Sequence, residues 1–252
     1  MEVFLYDAKN NPETWKDVRG YRRDSSEVER SEKAVNRMYE EAVQYYPKND
    51  FKQFGKKVFR KPGNLRKETL KRVARYSYGA LKTGRTTQPD KLASMGKYFS
   101  AKELYALWLP GNYGWAKYLQ LDDYDAVFTQ CRGGGIIECI LEDADKALAP
   151  DSHTAASLRF SHDSYLMPLM AAIGFEATVP GCTVKDVPER FQDYNFVCPA
   201  CNVQLVFYRN GKSILVKVLL NEKETRIVGL KPYEGVYYEW KSVKRHLSDM
   251  LP

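Results

Sequence analysis

The sequence predicts an α/β fold, and three observations carry that expectation. Apolar residues recur at helical spacing between charged ones through most of the first 150 residues. A short apolar lead-in from Ala155 to Phe160 stops at polar residues and is followed by an apolar, helix-like run, the pattern of a strand, a loop and a helix. Near the carboxyl end, Asn202 to Arg209 and Ser213 to Leu220 flank Asn210-Gly211. That dipeptide favours the positive φ angles of a tight hairpin turn.

From Ser25 to Tyr46, Val28, Val35, Met38, Tyr39, Ala42, Val43 and Tyr46 form the apolar stripe of an amphipathic helix that Pro47 ends. Residues 51–98 are more basic. Arg60, Lys61, Arg66, Lys67, Lys71, Arg72 and Arg75 surround Leu65, Leu70, Val73 and Ala74, as on a helix with a solvated basic face. Ser100 and Glu103 have the spacing of a capping box, and Leu104, Leu107, Trp108, Tyr113, Trp115 and Tyr118 supply a dense packing face. Pro110-Gly111 is expected to break or kink that helix. Gly133-Gly134-Gly135 reads as a hinge before a helix from Ile136 to Leu148. A glycine turn at a helix start can cradle phosphate, but this spacing matches neither a Walker motif nor a dinucleotide fingerprint, so flexible linkage is expected.

The 252 residues, 44% of them apolar, suffice for a packed core in one large domain or two modest ones. Lys and Arg number 39 against 32 Asp and Glu, a net +7 that suits an anionic ligand. No recognition motif accompanies the charge, so nucleic acid is not expected as a partner. No apolar run approaches the roughly 18 residues of a membrane span, and Met1 to Asp7 is too short and acidic for a secretory leader. A soluble chain without a membrane partner is expected. Its compartment stays open: cytoplasm, or periplasm and beyond if it is part of a longer exported protein. Cys198-Pro199-Ala200-Cys201 has the spacing of a redox or metal pair. Zinc needs two further ligands at matching spacing, which scattered Cys131, Cys139 and Cys182 do not provide, so no metal is expected. A tight turn with Pro199 fixing the backbone accounts for the motif, and a disulfide from Cys182 to Cys198 or Cys201 stays open.

The stretch Leu158 to Leu169 places His162 and Asp163 where a strand ends and a helix begins, the edge at which open α/β folds bind ligands. Structure alone offers a competing role, with Asp163 as a helix cap and His162 satisfying a buried carbonyl. Taken with Glu103 to Trp108, the helix from Ile136 to Leu148 and the late hairpin ending in Leu219-Leu220-Asn221-Glu222-Lys223-Glu224, this motif resembles the histidine acid phosphatases. The resemblance is to the branch of phytases and multiple inositol polyphosphate phosphatases, and it runs from about Phe99 to Trp240. It implies a histidine-phosphatase-like mixed sheet, with residues 1–99 a mainly helical cap-like portion and residues 100–252 the α/β portion. It also implies hydrolysis of phosphomonoesters, inositol polyphosphates among them, without a cofactor or metal. His162 then binds the transferring phosphoryl group and Asp163 protonates the leaving alcohol. Ser164 donates to phosphate, and Arg159 either faces the pocket or pairs with a carboxylate. Those roles are chemically sound: an alkoxide leaves poorly unless an acid protonates it, and an imidazole stabilises charge on nonbridging oxygens.

Family members attack phosphorus with a histidine inside Arg-His-Gly-x-Arg and pass through a phosphohistidine. The three histidines here are His153, His162 and His246, and none lies in that motif; Arg245-His246 is followed by Leu247. The chain is therefore expected to be a partial phosphatase, inactive alone, with an incomplete sheet. Its expected partners are a phosphorylated small molecule and either a second copy or a complementary amino-terminal fragment. The alternative is a noncatalytic module that binds polyphosphorylated ligands or an acidic protein through the face from Arg60 to Arg75.

Overall fold

A computed structural model describes residues 2–5, 25–87, 93–119, 127–178 and 181–251. The chain forms two compact units, one of Glu41–Gly114 and the other of Met1–Glu40 with Trp115–Pro252. The described residues have a mixed α/β architecture. No helix among them is long and apolar enough to cross a membrane.

Helix α1, Ser25–Val43, follows the expected stripe and buries Met38 and Ala42. In the smaller unit, α2 (Lys52–Val58) and α3 (Lys67–Thr87) close on a core of Phe51, Phe54, Leu70, Ala74 and Phe99. Phe54 stacks on Phe99 with ring centroids 4.5 Å apart. The two helices meet at Gly55, where an added Cβ would lie 3.1 Å from a Leu70 methyl. Helix α4, Ala101–Ala116, opens with the capping box: the Glu103 N–H donates to Ser100 Oγ at 3.3 Å, and the Ser100 N–H donates to Glu103 Oε2 at 2.8 Å. The break expected at Pro110-Gly111 does not occur, since α4 runs through both residues. Leu109, Asn112, Tyr113 and Ala116 are fully buried on either side of the proline. Packing on that scale outweighs the roughly 3 kcal/mol that proline costs inside a helix.

The larger unit is organised around α5 (Val127–Leu148) and α6 (Asp163–Ile173), which pack together, and α8 (Trp240–Ser248), which packs on α5. Helix α5 runs unbroken through Gly133 to Gly135, so those glycines are neither a hinge nor a phosphate-cradling turn. Ile137, Leu141 and Ala144 bury one face at helical spacing, and this periodic burial extends the helix across residues of poor propensity. Between α6 and the late strands lies the short helix α7, Val187–Arg190.

Among the described residues the strands lie in two sheets rather than the one mixed sheet expected. Strand β1 (Glu2–Leu5) pairs in parallel with β2 (Ser157–Phe160). Strands β3 (Val203–Asn210), β4 (Ser213–Leu220), β5 (Lys223–Glu224) and β6 (Tyr237–Glu239) are antiparallel, with β3, β5 and β6 all pairing with β4. Two-residue connections permit only antiparallel pairing, which accounts for the β3–β4–β5 order. Along β4, Val216, Val218 and Leu220 alternate into the core, where α8 adds Trp240, Val243 and Leu247.

Candidate functional site

The site begins where β2 stops. Arg159, the one strand residue that is partly covered, donates from Nε (3.0 Å) and Nη2 (2.7 Å) to Asp143 Oδ2 on α5, and the Ser157 hydroxyl donates to the same oxygen at 2.8 Å. Of the two roles open to Arg159, the carboxylate pair is the one formed. With side chains 21% and 18% exposed, this pair fixes the strand end against the helix.

His162 is the N-cap residue of α6, with extended backbone (φ −94°, ψ 157°), and its carbonyl accepts the N–H groups of Tyr165 and Leu166. Its ring makes no capping bond and is exposed. The carbonyl-satisfying role falls instead to His246 on α8, whose Nε2 lies 2.9 Å from the Ile173 oxygen at the far end of α6. Asp163 is the first helical residue; it is exposed, and one carboxylate oxygen accepts the Ser164 N–H at 2.8 Å. Ser164 follows, half-buried. Pro168 has no N–H to give to the Ser164 carbonyl four residues earlier, so that oxygen lacks its helical partner. From Met167 to Ile173 every residue is buried, and Gly174 (φ 80°) ends α6 in a Schellman motif. The polar end of α6 is thus held out by its buried remainder.

A second group belongs to the same corner. Cys198 to Cys201 form a turn closed by the Cys201 N–H donating to the Cys198 carbonyl at 3.0 Å, with Pro199 second and Ala200 third at φ 62°. This is the type II pattern, whose third position normally takes glycine. The Cys201 thiol is held above its ordinary pKa, chiefly by burial, with the Cys198 and Asp163 charges adding to the rise. Asn202 ties the turn to the β4–β5 connection. Its N–H donates to Asn221 Oδ1 (3.0 Å), its amide to Glu222 Oε1 (3.0 Å), and its carbonyl accepts the Asn221 N–H (2.9 Å). Asn221 and Glu222 also have positive φ, at 49° and 59°, so three of the four described non-glycine residues in this region cluster here. Sequence reasoning took the turn but missed this clip, for which the asparagines at the two turns are the only signal. Ala200→Gly is expected to stabilise the protein by about 0.5–1 kcal/mol, because relief of the left-handed strain exceeds the added unfolded-chain entropy. A higher urea midpoint with unchanged slope is the readout.

Cys139, Cys182, Cys198 and Cys201 carry thiols and form no disulfide. Cys182 is fully buried, its sulfur 3.4 Å from the Thr183 carbonyl, so neither pairing left open for it is formed. Among the described residues no group of three His, Cys, Asp or Glu could hold a metal ion. An open cleft of about 430 Å³ is lined by Glu176, Ala177, Glu224, Thr225, Arg226 and Val236, none of them an expected site residue.

A loop-to-helix corner carrying an unbonded imidazole, a carboxylate and a hydroxyl in three consecutive positions is equipped to hold an anion and to move a proton. The family model of the histidine phosphatase superfamily (branch 2) matches residues 19–221. The chain belongs to that superfamily. The match spans Arg159, His162, Asp163 and Ser164 and closes at the Asn221 clip. No curated protein matches the chain. Membership in the histidine phosphatase superfamily points to phosphomonoester hydrolysis, with a phosphorylated small molecule as substrate.

Proposed function

We propose that this chain supplies the phosphate-holding and proton-donating half of a histidine-type phosphomonoesterase, with inositol polyphosphates among its substrates. The observation that carries the reading is the exposed, unbonded His162 ring directly before Asp163 at the start of α6, in a chain of the histidine phosphatase superfamily. His162 and Ser164 bind the nonbridging oxygens, and Asp163 protonates the bridging oxygen as its bond to phosphorus breaks. The carboxylate so formed then takes a proton from the water that attacks the phosphoenzyme. Arg159 acts by holding the end of β2 through Asp143.

None of His153, His162 and His246 lies in Arg-His-Gly-x-Arg, so the attacking histidine comes from a complementary amino-terminal segment that completes the sheet beside β2. Leu158 and Phe160 are exposed at alternate positions of that strand, apolar surface that such a segment would cover.

The test is phosphate release from phytate and an aryl phosphate at acidic and neutral pH. The folded chain alone is expected to release none. Supplied with a family segment bearing Arg-His-Gly-x-Arg, in trans or fused ahead of residue 1, it turns over, and His162→Ala lowers that turnover by about 10²-fold or more. Turnover that His162→Ala leaves intact overturns the reading.

A second reading is favoured by the distribution of charge. The unit of Glu41–Gly114 carries 16 Lys and Arg against 5 Asp and Glu, whereas the rest of the chain has 23 against 27. Arg60, Arg66, Arg72 and Arg75 are all exposed. That balance supports a noncatalytic module for polyphosphorylated or acidic partners. Its mark is phytate binding that weakens steeply with salt, survives His162→Ala and is never followed by phosphate release.

A further inference from the structure

We propose that Cys198 and Cys201 are a reversible dithiol–disulfide site, closed within a single turn at the corner that carries Asp163. The inference goes beyond the phosphatase reading and stands independently of it. Two cysteines at the ends of a hydrogen-bonded four-residue turn have their Cα atoms within about 7 Å. A disulfide spans about 4.4–6.8 Å between Cα atoms, so the observed turn already provides nearly the required approach. Backbone placement is enforced from both sides. Pro199 fixes φ inside the turn, and Asn202, which follows Cys201, is clipped to Asn221 and Glu222 by three hydrogen bonds. The Asn202 amide also donates to the Ala200 carbonyl at 3.1 Å, bracing the residue that carries the positive φ.

Exposure sets the order of events. Cys198 is exposed and Cys201 half-buried, so a small-molecule disulfide meets Cys198 first. The Cys198 thiolate attacks one sulfur of the oxidant, forming a mixed disulfide and expelling one thiolate. Cys201 then loses its proton to solvent and attacks Cys198 Sγ, expelling the second. Two protein thiols and one small disulfide become one protein disulfide and two small thiols, so atoms and electrons balance. Burial holds the Cys201 thiol above its ordinary pKa, so closure accelerates with rising pH. An exposed disulfide in a turn with a left-handed alanine is of the labile kind, open to reduction by the same thiol pool.

The chain offers a direct measurement, because cleavage after Arg190 and Arg209 leaves both cysteines in the one peptide Phe191–Arg209. The full chain is equilibrated in glutathione buffers of graded oxidation, quenched with N-ethylmaleimide, digested and weighed. The expected result is a peptide that is unlabelled and about two mass units lighter than the dithiol in oxidising buffer, and doubly labelled once reductant is restored. In Cys201→Ser, Cys198 is expected to stop at the glutathione mixed disulfide, since the closing thiol is gone. A peptide that takes two labels at every ratio, in protein whose circular dichroism is native, overturns the proposal. So does a link from this peptide to the one containing Cys182. The wild-type measurement decides the matter even if a serine variant fails to fold, and it requires no phosphatase activity.

Discussion

Glu103→Ala is expected to destabilise the Glu41–Gly114 unit by about 3–5 kcal/mol. Glu103 is 2% exposed, and its carboxylate accepts three donors: the Phe54 N–H at 2.9 Å, the Ser100 N–H at 2.8 Å and the Ser100 hydroxyl at 2.9 Å. Two of those are backbone N–H groups at helix starts, which have no partner within their own helices. Alanine leaves the Phe54 and Ser100 N–H groups without their acceptor and opens a cavity where the side chain was. Each buried polar group left unmatched costs about 1–3 kcal/mol, and bonds to a charged acceptor lie at the upper end. Glu103→Gln separates shape from charge: it keeps the volume and one acceptor oxygen but turns an NH2 toward a donor, so about half the loss is expected. Ser100→Ala removes one bond and the cap, about 1 kcal/mol. Native-state hydrogen exchange over residues 51–107 reads the effect locally. Protection within about 0.5 kcal/mol of wild type in Glu103→Ala would remove the assigned role.

Glu103 also marks the limit of what the sequence discloses. The capping box is legible, because Ser100 and Glu103 stand three apart before an apolar run, and its reciprocal bonds are present. The third donor, Phe54, is 49 residues away, and no local pattern announces it. The late hairpin is legible in the same way, yet its loop is Gly211-Lys212 rather than Asn210-Gly211. Asn210 pairs with Ser213, and only Gly211 has positive φ, the II′ arrangement with glycine first. Helix breakers misled at Pro110 and Gly133 to Gly135, where burial of neighbouring residues overrides local propensity. At the site, His162 and Asp163 stand where a strand-to-helix reading puts them, since both flanks carry clear apolar patterns. The role of His246 could not be read, because its partner oxygen belongs to Ile173 on another helix. Nor could the Asn202 clip, which joins turns from two separate hairpin ends.

The second large effect is chemical, and it depends on the leaving group. In the enzyme completed by a nucleophile-bearing segment, Asp163→Asn is expected to lower kcat/KM for phytate and other alkyl phosphomonoesters by about 10²–10⁴-fold, the usual contribution of a general acid. For an aryl phosphate whose leaving phenolate carries its own charge well, the loss is expected to stay within about 10-fold, because little proton transfer is needed as the bond breaks. Asparagine preserves the size of the side chain and can still accept the Ser164 N–H that Asp163 now receives at 2.8 Å, so the start of α6 stays formed. The split between substrates separates an acid from a structural residue. A helix cap whose loss loosened the site would penalise both substrates alike, as would a residue needed only to hold phosphate. Burst kinetics add an independent arm: with the aryl substrate the variant should still form the phosphoenzyme at close to the wild-type rate, with hydrolysis of that intermediate slowed, since Asp163 must then accept a proton from water. Equal losses on both substrates, with phosphoenzyme formation slowed for both, would remove Asp163 from proton transfer and leave His162 and Ser164 as an anion-holding pair.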